Sequence, residues 1–242
     1  FAIFFVFLFH YFILSKGQPV WLPEVAKFGW TGVDLFFVLS GFLISSQLFA
    51  QIEQGQLISF KRFFPKRFFR IIPAYVVVVA IYFCIPYFRE TESLPPLWKF
   101  LTFTQNFGLN LKDFRTFSHA WSLCVEEHFY LGLPLILIVF QRMKRIRHAS
   151  WLLIGLFILT LLARYYSYIN LYFPHMEEEH GWLNWYMYIY YPTYTRLDGL
   201  LVGVTIAAIY RFLPTLWSRI SVFGNQFILL GLAVLVGAYF IC

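Results

Sequence analysis

The sequence predicts an all-α fold, a polytopic bundle of transmembrane helices with about seven spans. Only 13% of its 242 residues are charged, against 60% hydrophobic and 23% aromatic, and mean hydropathy is +0.66. A soluble domain carries about 25% charged residues. Several apolar runs approach or exceed the roughly 18 residues needed to cross a hydrocarbon core about 30 Å thick. The basic residues gather in alternate connections between those runs, as a chain threading a membrane requires.

Apolar runs place spans near residues 1–14, 29–50, 71–88, 119–140, 150–170, 197–213 and 224–242. The first lacks a charged n-region or a small-residue cleavage site, so it reads as a span rather than a signal peptide. It begins within an apolar run at Phe1, and Cys242 ends within another, so a fragment truncated at both ends is expected. No fixed-period repeat or Gly/Ser linker divides the chain, and one membrane domain over residues 1–242 is expected. Cys84, Cys124 and Cys242 have no CxxC spacing, which argues against a disulfide framework or a zinc knuckle.

A cytoplasmic N-terminus puts Lys61, Arg62, Lys66, Arg67, Arg70, Arg142, Lys144, Arg145, Arg147, Arg211 and Arg219 in the inward connections. That leaves eight of the nineteen basic residues for elsewhere. The outward connections carry Glu24, Glu90, Glu92, Asp113 and Glu177 to Glu179. They also hold the aromatic stretches from Leu97 to Phe100 and from Trp182 to Tyr186, suited to interfacial helices. The net charge of +7 therefore expresses topology rather than nucleic-acid binding.

Five constellations carry the chemistry. His10 is the one side chain in FAIFFVFLFHYFIL that ordinarily titrates near neutral pH, and a polar side chain at membrane depth must face a bundle interior or cavity. It is either a hydrogen-bonded core histidine or a working base. Residues 29–46, GWTGVDLFFVLSGFLISS, bring Asp34 to the second span, where a carboxylate needs a donor. Gly41 and Ser45 in the same run form a small-xxx-small pair suited to close helix packing.

The inward loop FKRFFPKRFFRIIPAY spaces Arg67 and Arg70 three apart, on one face if helical, beside Lys66 and between Pro65 and Pro73. These cations either set topology or hold phosphate, and arginine's bidentate fork favours phosphate. HAWSLCVEEHFY takes Glu126 and Glu127 into the membrane together, about 100° apart in direction, so the two should not point at one partner. His119 and His128 are nine apart with no HExxH, and no metal is expected. TRLDGLLVG sets Arg196 and Asp198 two apart, so each should seek a partner on another helix, while Gly199 and Gly203 form a second packing pair. The absence of GxSxG, a Walker loop and GxGxxG argues against serine hydrolases, nucleotidases and dinucleotide enzymes.

FLFH, GVDLFFVLSGFLIS, FPKRFFRIIPAY, WSLCVEEHFYL and RLDGLLVG, in this order, resemble the membrane-bound acyltransferase 3 family from the first span to the sixth. The resemblance implies transfer of an acyl group, commonly acetyl from acetyl-CoA, to a hydroxyl of a carbohydrate or related acceptor. By the same resemblance His10 matches the family's catalytic histidine, Arg67 and Arg70 its RxxR, and Glu126 and Glu127 its WSLxVEE. The basic residue that the family carries ten positions before the histidine would precede Phe1, and members have about ten spans.

A neutral imidazole suits removal of a hydroxyl proton near neutral pH, with Asp34, Glu126 or Glu127 orienting the ring. Arg67, Arg70 and Lys66 are expected to hold the phosphates of acyl-CoA, taken as a donor substrate rather than a resident cofactor. Trp121, Ser122, Tyr130, Arg196 and Asp198 are assigned to the acceptor or to structure. The expected location is a bacterial plasma membrane, with lipid and a glycan or glycolipid as partners. A transporter or flippase of a lipid-linked sugar is the alternative reading, with the same ionisable residues lining a pathway.

Overall fold

The computed structural model describes residues 3, 4, 6–9, 27–144 and 148–241. His10 therefore lies outside the described residues. Every regular element among the described residues is helical. The principal helices are α1 (Thr31–Glu53), α2 (Phe60–Cys84), α3 (Leu97–Leu101), α4 (Trp121–Arg142), α5 (Ala149–Ser167), α6 (Gly181–Trp185), α7 (Leu197–Phe212), α8 (Pro214–Ser221) and α9 (Gly224–Ile241). All-helical structure is what a bilayer permits short of a closed barrel, because each backbone N–H and C=O must be satisfied within its own segment.

Four helical stretches are long and apolar enough to cross a membrane: Thr31–Glu53, Phe60–Cys84, Ser118–Arg142 and Ala149–His175. A fifth arises if α7 and α8, bent by 112° at Leu213, count together, whereas the apolar stretch Gly224–Gly237 is shorter than a full span. The seven spans expected thus reduce to four or five among the described residues, and the first falls largely outside them. Short helices α3 and α6 form at the two aromatic stretches, with Trp98 and Trp182 exposed.

The segment expected as an inward loop is instead helix. α2 starts at Phe60, eleven residues before the span expected from residue 71, and runs through Pro65 and Pro73. Positive charge and proline lower the local hydropathy, yet at membrane depth neighbouring groups re-satisfy a backbone freed by proline, so the helix continues.

The chain packs as two compact units, residues 1–53 with 202–242 and residues 54–201. In the first, α1 meets α7 at glycine: a Cβ on Gly203 would clash with Val38 O, lie 2.6 Å from Phe42 N and lie 3.0 Å from the carbonyl carbon of Gly41. Backbone contact this close is the use of small residues between membrane helices. Glu53 and Arg211 pair at 3.5 Å in the same unit.

In the second unit α2 and α4 run antiparallel. Gln141 accepts from Ile58 N at 3.1 Å and donates to Gln56 O at 2.7 Å, while at the far end Tyr75 donates to Phe100 O at 3.0 Å. Tyr75, Val79, Phe100, Phe117 and Ala120 form the buried cluster at that end. The basic groups Lys61–Arg62 and Arg142–Lys144 consequently share the other end.

Candidate active site

Arg67 stands seven residues into α2, about 10 Å along the axis from Phe60. Antiparallel packing sets it against α4, where its guanidinium lies 5.6 Å from the centre of the Tyr130 ring. The charges of Glu126 and Glu127 both act on it, as does the neighbouring Arg70. Arg67 is half-buried, while Lys66 and Arg70 are exposed on the same helix. The motif arginine thus lies within electrostatic range of both motif carboxylates.

Glu126 and Glu127 differ in setting. Glu126 is 3% exposed and Glu127 half-buried. Their directions differ by about 100°, but Coulomb attraction at low dielectric reaches Arg67 from both. Asp34 occupies the first turn of α1, in the other unit, half-buried.

The opposite end of α4 holds a second constellation. Trp121 is buried and Ser122 half-buried at the first turn of α4. Arg196, 8% exposed, stacks 5.5 Å over Trp121 and 4.8 Å over Tyr190. Asp198 receives a 2.8 Å ion pair from Arg164 of α5, whose guanidinium also donates to Thr195 O. Both charges of the TRLDGLLVG motif therefore engage groups outside α7.

Around them a buried polar network fixes the chain. Asn106 donates to Tyr191 O at 3.0 Å and to Thr193 Oγ1 at 2.9 Å, and His128 Nδ1 lies 2.8 Å from that hydroxyl. His128 also stacks on Phe107, 5.5 Å between ring centres. Burial raises the Tyr186 and Tyr191 phenols above their ordinary range, so both stay neutral at physiological pH. Among the described residues no three His, Cys, Asp or Glu side chains gather as metal ligands.

Arg164, Asn106 and the tyrosines near residue 190 did not emerge from the sequence patterns. Arg164 had a signal available, since it is a lone guanidinium within an apolar span. Asn106 had none, because its partners lie 85 and 87 residues away.

Fold and site define a polytopic helical membrane protein whose ionisable residues converge between helices. The family model described as an acyltransferase domain matches residues 1–242, and the chain belongs to the acyltransferase 3 family. It is similar to the peptidoglycan O-acetyltransferase OatA of Listeria monocytogenes, 33% identical over 204 residues, covering 77% of this chain and 30% of that protein. An uncharacterized protein of Haemophilus influenzae is 31% identical over 197 residues, covering 74% of each chain. The chain thus spans less than a third of the Listeria protein's length. No solved structure matches the chain.

Proposed function

We propose that this chain is the membrane part of an O-acyltransferase, moving an acyl group, acetyl foremost, from acyl-CoA to a hydroxyl of a carbohydrate. The observation that carries the reading is that Arg67 lies within electrostatic range of Glu126 and Glu127 inside a chain of the acyltransferase 3 family. The peptidoglycan O-acetyltransferase among its relatives makes a cell-wall glycan the leading acceptor.

His10 is the general base. Its neutral imidazole removes the acceptor hydroxyl proton as the oxygen attacks the thioester carbonyl, the C–S bond breaks, and the imidazolium returns the proton to the departing CoA thiolate. Asp34, the carboxylate of α1, orients the ring. Arg67, with the exposed Lys66 and Arg70, takes the donor's phosphates, and Glu126 and Glu127 hold the Arg67 side chain in place.

The shared basic end of α2 and α4 supports a cytoplasmic location for that end, in a bacterial plasma membrane with the N-terminus inside. Membranes carrying the full-length protein are incubated with labelled acetyl-CoA, and extracted glycans and lipids are analysed by mass. Label should enter a hydroxyl ester in wild type and vanish in His10→Ala, which should still fold and bind donor. Full activity of His10→Ala would sink the base assignment.

A further inference from the structure

Two π-helical turns, Tyr168–Tyr172 and Tyr186–Tyr190, contribute to one cavity in the second unit. π-Helix accounts for well under about 1% of residues in globular proteins, and its single turns concentrate at functional sites. The cavity measures about 440 Å³ and is lined by Tyr165, Tyr168, Trp185, Tyr190, Arg164 and Arg196. That volume falls within the range of roughly 300–1,000 Å³ typical of small-ligand sites.

We propose that this cavity seats a neutral sugar ring of the acceptor, an assignment that rests on the acyltransferase reading. Two segments supply aromatic lining, Tyr165 and Tyr168 from one and Trp185 and Tyr190 from the other. Flat rings supply large contact area to the apolar faces of a pyranose at little entropic cost. The two arginines present donors more than bare charge. Arg164 is balanced by Asp198 at 2.8 Å, and Arg196 is spread over Trp121 and Tyr190.

The bonds of Arg164 to Thr195 and Asp198 use Nε and Nη2, which leaves Nη1 to donate to a sugar hydroxyl. A phosphate headgroup would instead call for unbalanced cations. The same Arg196 rests on Trp121, and Glu126 and Glu127 follow Trp121 by five and six residues on α4, about 7.5 to 9 Å along its axis. A ring in the cavity is thereby tied to the helix that carries the motif carboxylates.

The test uses full-length protein in detergent, titrated calorimetrically with chitotetraose, cellotetraose and maltotetraose, and separately with dioctanoylphosphatidylglycerol. At least one oligosaccharide should bind saturably. Tyr168→Ala should weaken it tenfold or more, Tyr168→Phe should retain it, and Trp98→Ala, exposed on α3, should leave it unchanged. In acetyl transfer from labelled acetyl-CoA, Tyr168→Ala should raise the acceptor KM with the donor KM unaltered.

Binding that weakens as stated without any acetyl transfer would leave the sugar site standing and remove the acyltransferase reading. Transfer with an unchanged acceptor KM in Tyr168→Ala would remove the sugar site and keep that reading. No binding of any of the three sugars, or a Tyr168→Ala effect confined to the phospholipid, would overturn the proposal.

Discussion

Arg164 reaches from α5 to Asp198 at the start of α7 and closes a 2.8 Å ion pair with about a quarter to a third of each side chain exposed. The same guanidinium caps the Thr195 carbonyl, so one side chain holds both the turn before α7 and its first acidic residue. Asp198→Ala should destabilise the protein by about 1.5–3 kcal/mol, the range for hydrogen bonds to charged groups, with exposure favouring the lower figure. Thermal unfolding in detergent measures this. The double variant Arg164→Met with Asp198→Met should cost less than the two single changes together, since each single change strands a charge. Strict additivity would show that the pair contributes nothing as a pair.

Gly203 lies against the α1 backbone at Val38, Gly41 and Phe42, where an added methyl group has no room. The obstruction is main chain rather than a flexible side-chain end, so relief requires the helices to separate. Gly203→Ala should lower stability by about 1–3 kcal/mol, as overpacking does. Gly155 on α5 has nothing within 4 Å of a Cβ, and Gly155→Ala should be neutral or stabilising by up to about 1 kcal/mol from helix propensity. Equal melting temperatures for the two variants would show that the α1–α7 contact does not limit stability.

Tyr75 is 5% exposed and its hydroxyl donates to Phe100 O while accepting from Gln105 Nε2, each at 3.0 Å. Its ring stacks on Phe103 at 4.6 Å between centres. Tyr75→Phe preserves the stack and deletes only the oxygen, stranding a buried carbonyl and a buried amide. A loss of about 1–3 kcal/mol is expected for such orphaned groups. Denaturation of Tyr75→Phe beside Gln105→Leu separates the two contributions, and an unchanged Tyr75→Phe midpoint would mean that water replaces the hydroxyl.

The spans that became α1, α4 and α5 were legible because predominantly apolar runs of spanning length have few other stable outcomes in a bilayer. α2 was legible only from residue 71, since Lys61 to Arg70 and two prolines look like a loop to any hydropathy average. Its helical start follows from backbone satisfaction, which composition does not report. The same limit applies to the site. TRLDGLLVG disclosed that Arg196 and Asp198 would leave their own helix, but Arg164, Trp121 and Tyr190 as their partners are consequences of packing. Neither π-helical turn carries a local pattern of its own.

The electrostatic pull of Glu126 and Glu127 on Arg67 yields the sharpest separation between donor binding and fold. Arg67 is half-buried with two carboxylates acting on it, whereas Arg70, three residues on, is exposed. Arg67→Ala should therefore both weaken acetyl-CoA binding, by tenfold or more, and lower stability by leaving carboxylates without their cation. Arg70→Ala should weaken donor binding at little structural cost, because exposed charges contribute at most about 1 kcal/mol.

Arg67→Lys keeps the charge but loses the planar fork, so it should recover much of the stability and little of the donor affinity. Glu127→Gln completes the set. It weakens the hold on Arg67 without changing shape, and should raise the donor KM while leaving the acceptor KM unchanged. Steady-state kinetics with labelled acetyl-CoA, run beside thermal unfolding of each variant, reads both quantities. A Glu127→Gln variant with unaltered donor KM and a large loss of kcat would move that carboxylate from positioning Arg67 to the chemical step itself.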